Sequence, residues 1–132
     1  MTEPTEKPTP PSQVERAADF RTYYANNVYI ESTAWDLKIT FGQLDRATAP
    51  LLVKNECSVT LPWPQAKLAL FWIALHVEMA EAEVGQKIPV RKDLWPQELP
   101  EKLPDNVETD AAAAERFRRI YNRLREEFLK TA

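Results

Sequence analysis

Few side chains in this sequence could do chemistry. There is one cysteine, Cys57, and one histidine, His76, so a single Cys–His pair is all that nucleophilic thiol chemistry could draw on. A reactive thiol needs a neighbouring base and access to solvent. Cys57 instead shares its alternation with Val53, Val59 and Leu61, which predicts a packed, structural thiol. Zinc takes three or four nitrogen, sulfur or oxygen ligands, and no second His or Cys is there to complete such a set around His76. Glu78, Glu81 and Glu83 crowd one short segment, where carboxylates can bind a cation or act as acid and base. On a helix Glu83 points away from the other two, which predicts a solvated acidic edge. The two glycines, Gly42 and Gly85, are too few for a phosphate-cradling or dinucleotide-binding loop. The expectation is therefore no catalytic residue, no metal and no cofactor.

Two patterns point toward binding. Arg116, Arg119, Arg123 and Lys130 recur along one helical flank, the spacing of a stripe that could track phosphates. Glu115, Glu126 and Glu127 interrupt that charge, and the chain as a whole carries a net charge of -3. A solvated helix face, with the acidic edge as an internal partner for the arginines, is expected ahead of nucleic-acid binding. The second pattern is aromatic: Tyr23, Tyr24, Tyr29, Trp63 and Trp95 are more than a small core absorbs, which points to an interaction surface.

The elements that must position these residues are legible from period and punctuation. A chain of 132 residues with 44% hydrophobic and 28% charged residues fits one globular domain. Residues 1–15 are Pro-rich and polar and predict a disordered tail, leaving a single α+β domain over 16–132, with a short helical turn near Val14–Phe20. The N-terminus lacks the basic start and apolar run of an export signal, and the apolar stretch Leu68–Val77 is too short to span a bilayer, so a cytoplasmic protein with no membrane contact is expected.

Asn27–Glu31, then Trp35, Leu37, Ile39 and Phe41 at a period of two, then Leu51 to Leu61, predict a three-stranded antiparallel sheet. Pro64 opens a long helix that Gly85 closes. It is bifacial: Leu68, Phe71, Trp72, Leu75 and Met79 share one face, and Ala66, Leu70, Ile73, Val77 and Val84 share the opposite one. Lys67, Glu78 and Glu81 form one polar edge, and Gln65, His76 and Glu83 form the other. One apolar face is expected to cover the sheet. The second, through Ala66, Leu70, Ile73 and Val77, is a candidate self-association face. Residues 86–108, with Pro89, Pro96, Pro100 and Pro104, predict an extended arm that packs either on its own subunit or on a neighbour. A C-terminal amphipathic helix over 109–130, capped by Thr109 or Asp110, carries an apolar stripe of Phe117, Ile120, Tyr121, Leu124 and Phe128. Either that stripe covers the free face of the first helix, or that face meets another copy of the protein.

Ala25-Asn26-Asn27-Val28, Phe41-Gly42-Gln43-Leu44, Pro64-Gln65-Ala66-Lys67-Leu68 and Glu83-Val84-Gly85 resemble the short bacterial proteins of the domain-of-unknown-function family numbered 3467, over residues 23–89. Ala82 stands where such proteins often carry an aromatic. The resemblance implies a strand-strand-strand-helix unit and transfers no catalytic residue. The order of elements is also similar to the SecB-type export chaperones, which implies a peptide-binding oligomer with apolar, aromatic grooves. The leading expectation is a small non-catalytic homo-oligomer, a dimer first of all, that serves binding or assembly. The alternatives are a chaperone that binds extended polypeptide clients and a nucleic-acid accessory protein acting through Arg116, Arg119 and Arg123.

Overall fold

The structure, a computed structural model, describes residues 13–103 and 110–132. It is mixed α+β: a three-stranded antiparallel sheet, a long helix, and a C-terminal helix. The chain divides into two compact units, Met1–Leu68 and Ala69–Ala132. The first twelve residues of the expected tail, the arm residues 104–108 and the alternative cap Thr109 lie outside the described residues. Within the expected turn near Val14–Phe20, one turn forms around Ala18 and Asp19, closed by the Phe20 amide donating to the Ala17 carbonyl at 3.0 Å.

The first unit is a meander of β1 (Asn27–Ser32), β2 (Asp36–Asp45) and β3 (Leu52–Pro62), hydrogen-bonded in that order. Val28, Phe41 and Cys57 stand in one cross-strand row and Ile30, Ile39 and Val59 in the next. With Leu37 and Leu61 they give the sheet one apolar face, while Tyr29, Thr40 and Ser58, with Glu31, Lys38 and Thr60, give it a polar one. Cys57 is half-buried on the apolar face.

Two local details depart from simple alternation. Trp35 was expected inside β2 but sits in the β1–β2 connection and is 83% exposed. There the Thr33 hydroxyl donates to Asp36 and accepts from the amides of Trp35 and Asp36, so a side chain closes the turn. A bulge also interrupts β3: Phe41 pairs with Cys57 but Gly42 pairs with Asn55, leaving Glu56 without a partner residue. Val53, expected in phase with Cys57, Val59 and Leu61, is shifted by this extra residue to the opposite face. Gly42 is needed at this point, because a Cβ there would lie 2.8 Å from the Lys54 carbonyl oxygen. Before β1, Asn26 extends the pairing with its side chain, accepting from the Leu44 amide at 2.6 Å.

α1 (Trp63–Val84) begins with Pro at its second residue and ends where Gly85 adopts a φ of 79°, the left-handed conformation that stops helices. α2 (Ala111–Thr131) starts at Asp110, whose carboxylate accepts from the Ala113 amide at 2.7 Å. Between them the arm makes a short turn at Lys92–Leu94, steadied by a two-point Arg91–Asp93 pair at 3.1 and 3.0 Å. The Trp95 indole N–H closes back onto the Val90 carbonyl at 2.8 Å.

Candidate assembly surfaces

Burial is scarce. Among the described residues the only buried hydrophobic side chains are Leu103, 2% exposed, and Ala114. Both belong to the arm and α2. A folded chain excludes water from most of its large apolar side chains, and these two cannot stand for a core.

The arm docks on α2 of its own chain. Three α2 side chains hold three arm carbonyls: Arg118 donates to Glu101, Tyr121 to Gln97 at 2.6 Å, and Arg125 to Pro96 at 2.9 Å. A segment with Pro89, Pro96 and Pro100 lacks amide donors at those positions, so it cannot pair as an ordinary strand and its carbonyls need donors from elsewhere. Arg118, Tyr121 and Arg125 recur about one turn apart and supply them. The arm therefore packs in cis over residues 96–101, an outcome that the sequence left open.

This docking shows which face of α2 is occupied. Ala114, Arg118, Tyr121 and Arg125 are buried or half-buried, whereas Phe117, Ile120 and Leu124 remain exposed. The expected apolar stripe is thus divided: Tyr121 joins the docked face and Phe128 is half-buried, while Phe117, Ile120 and Leu124 lie beside them, with the Phe117 ring stacked on Tyr121 at 5.8 Å between centroids. On the other side of these three lie Arg116, Arg119 and Arg123. All three are exposed, and none has a hydrogen-bonding or ion-pair partner among the described residues. The expected internal pairing with Glu78, Glu81 and Glu83 is not formed. The Glu81 carboxylate instead accepts from the Ile88 amide at 2.8 Å, folding the chain after Gly85 back along α1.

α1 is open on both faces. None of its 22 residues is buried. On the candidate self-association face Leu70 is 67%, Ile73 59% and Val77 42% exposed, with Ala66 half-buried. Leu68, Phe71, Trp72, Leu75 and Met79 on the opposite face are exposed as well. The returning Ile88 joins Trp72, Ile73, His76, Val77 and Ala80 around an apolar hollow of about 390 Å³. Sequence periodicity found the helix faces but not this hollow, which depends on the Glu81–Ile88 bond.

No arrangement among the described residues gathers three or more His, Cys, Asp or Glu side chains around a possible metal position. No described helix is long and apolar enough to cross a membrane. No known protein family, curated protein or solved structure matches the chain.

Proposed function

We propose that this protein is a non-catalytic binding or assembly protein of the cytoplasm that acts as a homo-oligomer, at minimum a dimer, with α1 forming the centre of the interface. One observation carries the reading: a helix of 22 residues that is apolar on two faces and has no buried residue. A helix apolar all round belongs in an interior. Among the described residues none of α1 is buried, and a second copy is the simplest source of an interior, because symmetric pairs are the commonest assemblies. The proposed type is that of the short bacterial strand-strand-strand-helix proteins the sequence resembles.

Ile73→Glu tests it. Each interface copy of Ile73 that leaves water contributes about 2 kcal/mol, and symmetry doubles the loss before the cost of burying a carboxylate is counted. Light scattering behind a sizing column should find the parent as a dimer or larger and the variant as soluble monomer. A parent that stays monomeric over a hundredfold range of concentration, or a variant that keeps the parent mass, removes this interface.

A second reading has its own support. The arm shows that α2 can hold extended polypeptide by its carbonyls, and the outer edges of β1 and β3 are free of strand partners among the described residues. A chaperone for extended clients would use the same kinds of contact. It predicts suppressed aggregation of an unfolded client at equimolar ratio, and client aggregation at the rate seen without the protein removes it.

A further inference from the structure

The α2 sequence repeats a three-residue pattern: Arg116-Phe117-Arg118, Arg119-Ile120-Tyr121 and Arg123-Leu124-Arg125. At helical spacing this writes three parallel stripes. The last residue of each triplet holds the arm. The middle residues form the exposed apolar stripe, and the first residues form a basic flank with no partner among the described residues. Any element that lands on Phe117, Ile120 and Leu124 must therefore lie between the docked arm and three arginines. We infer that this element is α1 of a second copy, placed so that its Glu78 and Glu81 meet the arginine flank while its Leu70, Ile73 and Val77 face receives the apolar stripe. This inference rests on the homo-oligomer reading and names the surfaces that meet.

Charge selects the occupant. If α2 met another α2 antiparallel, each arginine flank would oppose its own copy, stacking like charges along the seam. Met in parallel, the arginine flank would fall on the side already filled by the arm. α1 has neither fault. Glu78 and Glu81 are three residues apart, the spacing of Arg116 and Arg119, and both border the face that carries Ile73 and Val77. The hollow of about 390 Å³ runs from Ile73 and Val77 toward Trp72 and His76, so it lies on the flank of that face away from Glu78 and Glu81 and adds apolar surface beside it. Among the described residues the three arginines have no partner, and α1 and α2 each leave apolar residues open, surfaces that a second chain of complementary charge fits. A two-fold axis then produces the contact twice, α1 on α2 and α2 on α1.

Two charge-reversed full-length chains test it. One carries Arg116→Glu, Arg119→Glu and Arg123→Glu; the other carries Glu78→Arg alone, because Glu81 also holds the Ile88 amide that shapes the hollow. Each alone should weaken the dimer about 100-fold, since like charges then face one another in both copies of the contact. Mixed in equal amounts they should associate more tightly than either does alone, because one contact of the mixed pair is the parent contact and the other is again complementary at position 78. Recovery in the mixture also shows that neither variant failed by misfolding. If both variants stay dimeric while the parent is a dimer, the inference falls and the homo-oligomer reading survives; a monomeric parent removes both. Two weakened variants that fail to recover on mixing also overturn it. So does an arginine variant that keeps its mass and loses salt-sensitive binding to duplex DNA, which would assign the stripe to nucleic acid.

Discussion

Releasing the arm from α2 is the sharpest test of the geometry. The triple variant Arg118→Ala, Tyr121→Phe, Arg125→Ala removes the three donors that hold the carbonyls of Glu101, Gln97 and Pro96 and leaves the arm sequence intact. The Tyr121 bond is neutral and contributes about 1 kcal/mol, and each arginine bond somewhat more before discounting for partial exposure. Their joint loss is about 3 kcal/mol, or about a 100-fold rise in the open population of the arm. Leu103 is 2% exposed, so trypsin reaches the Lys102–Leu103 bond only when the arm opens. With protease dilute enough that closing outpaces cleavage, the cleavage rate follows that open population. Mass spectrometry of the 103-onward fragment should show cleavage about 100-fold faster, with helix content by circular dichroism unchanged. Cleavage within twofold of the parent would mean that the three bonds do not hold the arm, and the account of why α2 turns its arginine and tyrosine side chains toward it would be wrong.

Two further substitutions test local structure. Gly42→Ala puts a Cβ 2.8 Å from the Lys54 carbonyl oxygen and 3.2 Å from the Asn55 Cα, backbone that cannot swing aside, so denaturant unfolding should show a loss of about 1–3 kcal/mol; unchanged stability would mean the bulge is not as tight as described. Asp110→Ala removes the acceptor for the Ala113 amide and should cost about 1 kcal/mol, while Asp110→Asn retains most of it. Equal effects of the two would show that hydrogen bonding is not what the cap provides.

The sequence was most legible where a strong local rule applied. Pro64 and Gly85 bracketed α1 to within a residue because each acts through its own backbone. The alternation from Leu37 to Phe41 marked β2 because half-buried strands demand it. Parity failed at Glu56, since a bulge shifts every residue beyond it and nothing in Leu51–Leu61 except the proximity of Gly42 in the facing strand hints at one. The face of α2 that the arm occupies was not legible, for a different reason. Hydrophobicity picked out Phe117, Ile120, Tyr121, Leu124 and Phe128, of which only Tyr121 bonds the arm; a proline-rich partner needs donors, and the face with Arg118, Tyr121 and Arg125 provides them. The candidate face Leu70, Ile73 and Val77 was visible in the wheel; that it would stand open depended on what the rest of the chain chose to cover.

The bulge in β3 bears on how such a molecule stays finite. A sheet with apolar residues in the open and, among the described residues, two edges without strand partners is a template for endless strand-on-strand growth. On the long edge, Glu56 breaks the regular rhythm of donors and acceptors midway, and Pro50 and Pro62 bracket the strand and withhold amides at or near its ends. The other edge, β1, is only six residues long. A neighbour's strand finds no flat, uninterrupted run on either side. Growth along the sheet is thus discouraged, and sticky surface is steered toward the helices, where a two-fold contact closes on itself and stops.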